Sequence, residues 1–106
     1  MNKGEGSLRH VVMFRFKNGT GEEQIGTIAQ DFADLKAHIP EIREFEWGRN
    51  VSVEGRDQGL THIFCVTFSS IGGREAYRAH PAHCAFADFI RPFVEKAVVL
   101  DYWATI

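Results

Sequence analysis

The chain is short of the residues that staple, span or coat. Its two cysteines, Cys65 and Cys84, form no CxxC pair, which excludes a disulfide framework. Both lie in apolar stretches, where a free thiol packs as a small hydrophobe. A nucleophilic Cys84 served by His83 is disfavoured, because adjacent helical residues do not face each other. No stretch approaches the roughly 20 apolar residues of a membrane span, and Met1 to Ser7 lacks the apolar core of a signal peptide. There is no Lys/Arg run and the net charge is −2, so neither nucleic acid nor a membrane surface is expected as a partner. The reading is a cytoplasmic protein with a disordered N-terminal tail over residues 1–7.

Apolar material, by contrast, is plentiful. Hydrophobic residues make up 44% of 106 positions, nine of them Phe, against 25% charged, which suits one globular domain placed at residues 8–106. From Leu8 to Lys17, His10, Val12, Phe14 and Phe16 share one face of a strand and Val11 and Met13 the other. Both faces are apolar, so the strand needs a cover beyond its own helices, a first hint of a dimer.

Asn18-Gly19 reads as a turn, and Thr20 with Glu23 as a capping box opening a helix that ends at His38 before Pro40. Ile25, Ile28, Phe32, Leu35 and Ile39 form its buried stripe. A second strand containing Phe45 and Trp47 lies within Ile42 to Val53. The polar run Glu54 to Gly59 reads as a surface loop rather than a cation site. In the third strand, Leu60 to Phe68, His62, Phe64, Val66 and Phe68 oppose Ile63, Cys65 and Thr67. Ser69-Ser70 caps a short helix, Pro81 opens a longer one with the stripe Phe86, Ile90, Phe93 and Ala97, and Ala97 to Trp103 is a last strand whose one charge is Asp101.

The order β-α-β-β-α-β predicts an α+β, ferredoxin-like protomer. Its first and third strands are expected to be central and parallel, with His10 and His62 side by side. Tyr77-Arg78-Ala79-His80-Pro81-Ala82-His83 then gathers a phenol, two imidazoles and a helix-interrupting proline.

Seven ordered motifs carry a resemblance over Leu8 to Tyr102: HVVMFRFK, Ile39-Pro40, Trp47 to Ser52, Gly59 to Ile63, Val66 to Ser70, Tyr77 to His83, and Asp101-Tyr102. Together they resemble the stress-responsive A/B barrel (Dabb) family. The resemblance implies a homodimeric α/β barrel in which Val11, Met13, Ile63 and Cys65 face the partner. It also implies a pocket for a small apolar or aromatic ligand, with no cofactor. In a plant branch that resembles polyketide cyclases, the working pair corresponds to Tyr77 and His83, supported by His10 and His62. The pocket tyrosine of those cyclases falls on Phe32 here, which puts the substrate's identity in question.

The expected binding set is therefore His10, Phe32, His62, Phe64, His80 and Phe86 around the catalytic pair. His83 suits a base for a carbon-bound proton and Tyr77 a donor to the developing enolate oxygen. Other readings stand beside this one. His80 reads first as a cap, the three histidines 10, 62 and 83 raise a zinc-type site that no carboxylate or thiolate joins, and His10 and His62 taken singly read as core residues of a structural dimer. A haem-degrading or quinone-oxidising monooxygenase is suggested by barrel architecture alone, which is a poor warrant for chemistry.

Overall fold

In a computed structural model, residues 6–105 are described, so the expected tail lies largely outside them; within it, the Ser7 carbonyl accepts the Ala104 N–H at 2.8 Å. The elements are β1 (Leu8–Phe16), α1 (Glu22–His38), β2 (Glu44–Arg49), β3 (His62–Phe68), α2 (Ile71–Ala79), α3 (Pro81–Ile90) and β4 (Val94–Trp103). The sheet order is β2-β3-β1-β4, which is the ferredoxin-like α+β arrangement.

Strand direction departs from expectation. β1 and β3 are central neighbours but antiparallel, as is every pairing in the sheet. β3 follows β2 as its antiparallel neighbour and enters between β2 and β1, so it opposes both, and the parallel relation belongs to β1 and β2 across the α1 crossover. Register follows from direction. His62 faces Phe14 and His10 faces Val66, so the two histidines share a face but stand four residues apart, about 13 Å along the strand.

Two local expectations also fail. Gly21, not Thr20, is the N-cap of α1, and the Thr20 hydroxyl donates instead to the Lys17 carbonyl at 2.8 Å, so no capping box forms. Acids Glu22 and Glu23 in the first turn and Lys36 and His38 in the last complement the helix dipole without it. Glu22 also pairs with Arg49 and ties α1 to β2, and that bond holds its carboxyl below the usual range. In α3 the helix stops at Ile90, since Pro92 has no N–H to continue the ladder. Phe93 therefore sits in the following turn and Ala97 on β4, not on a helical stripe.

The core lies on one face of the sheet. Val12, Phe14, Phe64, Val66 and Phe68 meet Ile25, Ile28, Phe32 and Leu35 of α1 and Tyr77 and Phe86 of the later helices. Phe32 centres an aromatic group, 4.8 Å from both Phe64 and Phe86 and 5.2 Å from Phe45 by ring centroids. Burying one such phenyl contributes about 2 to 3 kcal/mol. The opposite face has no helix over it: the fold is 16 Å thick at its thinnest, one sheet and one helical layer. Val11, Met13, Ile63 and Cys65 are half-buried there, while Leu100 and Tyr102 are 58% and 52% exposed. No helix among the described residues is long and apolar enough to cross a membrane.

Candidate active site

The helical layer covers β1 and β3 but leaves β4 bare on its inner side, and the gap between β4 and the α2–α3 pair is a cavity of about 550 Å³. Its position follows from the break at Pro81. His80 has extended backbone (φ −65°, ψ 135°), ending α2 and starting α3, and its Nδ1 accepts the Ala82 N–H at 3.0 Å. Pro81 occupies the first helical position, where its missing N–H costs nothing. The chain direction changes there, and the Tyr77 and His83 rings meet with centroids 4.3 Å apart.

Tyr77 is 1% exposed, and its hydroxyl is neither hydrogen-bonded nor sealed off among the described residues, so it opens on the cavity. Burial raises its pKa well above that of a free phenol, and the group keeps its proton. His83 is partly buried. Desolvation lowers its pKa, opposed by its hydrogen bond to the Arg78 carbonyl, with the neighbouring His10 and Arg78 charges adding to the lowering. That carbonyl, 3.2 Å from Nδ1, can only accept, so Nδ1 carries the proton and Nε2 of the neutral ring presents a lone pair.

A second chain of groups faces this pair. His10 Nδ1–H donates to Asp101 Oδ1 at 2.7 Å across β1 and β4, and Arg74 Nη1 donates to Asp101 Oδ2 at 2.7 Å from α2. Arg74 also donates from Nε to Glu75 at 3.0 Å; the bond to Asp101 is the chief cause raising its own pKa. The His10 ring stands 5.7 Å from Tyr77, edge to face. Asp101 thus fixes the His10 ring and tautomer, the orienting role a carboxylate plays behind a working imidazole.

Of the expected set, the cavity brings together Tyr77, His83, His10, Phe32 and Phe86. It does not include His62, Phe64 or His80. Phe64 is wholly buried beneath Phe32, and His80 is spent as a cap. His62, the first residue of β3, lies beside Phe16 and Trp47 next to the C-terminal end of β1, bordering a separate cleft with Lys17 and Arg49. Its Nδ1 is hydrogen-bonded with the Thr61 hydroxyl at 2.8 Å, and its buried Nε2 has no partner among the described residues. Separated in this way, histidines 10, 62 and 83 make no metal cluster, and no other group of three ligating side chains occurs among the described residues. Asp101, Arg74 and Arg78 also line the cavity, outside the set expected from the sequence. The one available signal was Asp101, a lone charge in an apolar strand.

The chain as a whole is similar to known proteins. Residues 8–104 match the Dabb profile, the Stress Responsive A/B Barrel Domain. The stress-response A/B barrel domain-containing protein HS1 of Arabidopsis thaliana is 38% identical over 105 residues, 99% of this chain and 96% of that protein. Olivetolic acid cyclase of Cannabis sativa is 33% identical over 96 residues, 91% of this chain and 95% of the cyclase. The structure of hydroxynitrile lyase from Passiflora edulis, 33% identical, superposes with a TM-score of 0.88 over 95% of each chain. A profile match spanning β1 to β4, with relatives above 30% identity along almost their whole length, means that the chain belongs to the Dabb family of stress-responsive A/B barrel domains.

Proposed function

We propose that the cavity holds a small organic molecule with an apolar or aromatic body, and that Tyr77 and His83 exchange protons with it without a cofactor. The carrying observation is the commitment of His83 Nδ1 to the Arg78 carbonyl, which leaves Nε2 as a base beside a protonated phenol in one cavity. His83 Nε2 takes a proton from a carbon next to a carbonyl, or from a hydroxyl, while Tyr77 O–H donates to the oxygen on which charge develops. In a ring closure the enolate carbon bonds to a second carbonyl carbon, whose oxygen takes the proton back from the imidazolium; in hydroxynitrile cleavage the C–CN bond breaks as the deprotonated oxygen becomes a carbonyl, and the imidazolium protonates the departing cyanide, so neither step needs an external oxidant or reductant. A cyclase and a lyase among the relatives fit one scaffold under this reading, since one base and one oxyanion donor serve both kinds of step.

The test is turnover of a linear polyketide thioester and of an aromatic hydroxynitrile by the wild type, Tyr77→Phe and His83→Ala. Loss of at least about a hundredfold in both variants with unchanged melting supports the pair. Undiminished turnover in His83→Ala rules it out. A merely structural role for the histidines is disfavoured by the cavity that His10, Tyr77 and His83 border.

The bare sheet face supports a homodimeric barrel, two sheets closing on each other through Val11, Met13, Ile63, Cys65 and Leu100. A cytoplasmic setting agrees with two free thiols, one of them exposed at Cys84.

A further inference from the structure

The polar end of the cavity holds more hydrogen-bond donors than its own acceptors use. Arg74 and Arg78 lie one turn apart on α2, and both reach the cavity wall. Arg74 spends Nη1 on Asp101 and Nε on Glu75, leaving Nη2. Arg78 spends Nη1 on Glu75 at 3.0 Å, leaving Nε and Nη2. Among the described residues Asp101 is the one carboxylate in the wall, and each of its oxygens is already engaged, by His10 and by Arg74. Beyond this rim the wall turns apolar at Val12, Phe14, Phe32 and Phe86.

An apolar chamber rimmed by guanidinium N–H groups is complementary to a molecule with an apolar body and a flat anionic end. We infer that the cavity selects an organic carboxylate, anchored by Arg78 with help from Nη2 of Arg74, its body lying against Phe32 and Phe86. Arg78 is the principal anchor because its side chain is 61% exposed and shares its one partner, Glu75, with Arg74. It can swing toward a ligand without disturbing the His10–Asp101–Arg74 chain. This rests on the proposal that the cavity binds a small organic molecule, and adds the charge by which that molecule is chosen.

The experiment is calorimetric titration of the purified protein near neutral pH with 4-butylbenzoate and with its uncharged isostere 4-butylbenzamide. Benzoate is expected to bind at least about tenfold more tightly, and its affinity alone is expected to fall as salt is raised. Arg78→Gln removes the preference by weakening benzoate and sparing benzamide, and Arg78→Lys restores part of it. Benzamide binding reports that each variant is folded, and the salt dependence of the wild type needs no variant. Equal wild-type affinity for the two compounds, or a preference that survives both Arg78→Gln and Arg74→Gln, overturns the carboxylate inference and leaves the cavity reading standing. Failure of both compounds to bind overturns the two together.

Discussion

His10 and Asp101 face each other in register on β1 and β4, with the imidazole Nδ1–H 2.7 Å from a carboxylate that Arg74 grips from α2. The three groups come from three elements, so the contact ties strand, edge strand and helix at the polar end of the cavity. Asp101→Asn keeps the shape and removes the charge. It is expected to destabilise by about 1 to 3 kcal/mol in denaturant melts. Turnover is expected to fall further than that loss explains, because the His10 tautomer is no longer fixed. A cycle of Arg74→Gln with Asp101→Asn should show coupling of about 0.5 to 1 kcal/mol; strict additivity would separate the two groups.

The rate should depend on pH in a direction set by burial. Desolvation lowers the His83 pKa, so its base form persists below the ordinary histidine value of about 6.5. Tyr77, raised by burial, keeps its proton through the alkaline range. A plot of kcat against pH is therefore expected to fall only on the acid side, below about 6.5, with no alkaline limb from Tyr77. An acid limb centred above 7 would count against His83 as the base.

Acid stability should report His62. Its pKa is lowered chiefly by burial, next by Arg49, with Glu22 opposing. The unfolded chain then takes up the proton first as pH falls. Stability is complete above about pH 6.5 and declines below it, by at most about 1.4 kcal/mol per pH unit for one histidine. His62→Phe removes that slope together with an unpartnered buried Nε2, so melting temperatures of the variant between pH 7 and 5 should vary less than those of the wild type.

Phe32 can distinguish core from cavity. It is 2% exposed, and Phe32→Ala is expected to cost about 3 to 5 kcal/mol by leaving a void among Phe64, Phe86 and Phe45. Phe32→Tyr should cost less than about 1.5 kcal/mol, because the ring borders the cavity and an added hydroxyl can reach it. A large loss in Phe32→Tyr would place the para position against packed side chains.

Light scattering at micromolar concentration should give a particle near twice 12.0 kDa. Leu100→Glu, on the bare face and 58% exposed in a single protomer, should shift it to the monomer. A wild type that stays monomeric removes the barrel proposal.

How much of this could be read from the chain depended on range. The α1 stripe Ile25, Ile28, Phe32, Leu35 and Ile39 is buried throughout, and the two faces of β1 and β3 are sorted as their alternation predicts except at Thr67, an outer-face residue buried at a hydrogen bond from Arg9, because periodicity is local. Strand direction is not local. Nothing in LRHVVMFRF or HIFCVTF says which way its neighbour runs, and the reversal moves His62 from beside His10 to opposite Phe14. Asp101 was visible as a lone charge, but its meaning came from His10, ninety-one positions earlier, and from Arg74 on another element. Thr20 misled for the opposite reason: a capping sequence was present, but the helix starts one residue later with Gly21 as its N-cap, and the Thr20 hydroxyl closes the preceding turn onto Lys17.

The break at His80-Pro81 has a geometric consequence. On an unbroken helix six residues turn through about 600°, which would leave Tyr77 and His83 on well-separated sides of one cylinder. Ending α2 at His80 and starting α3 at Pro81 puts Tyr77 and His83 on two helices instead of one, and their rings meet with centroids 4.3 Å apart. The kink is therefore a hinge point between two helical axes, and an alanine in place of Pro81 that let α2 run on through His80 would draw the two rings apart.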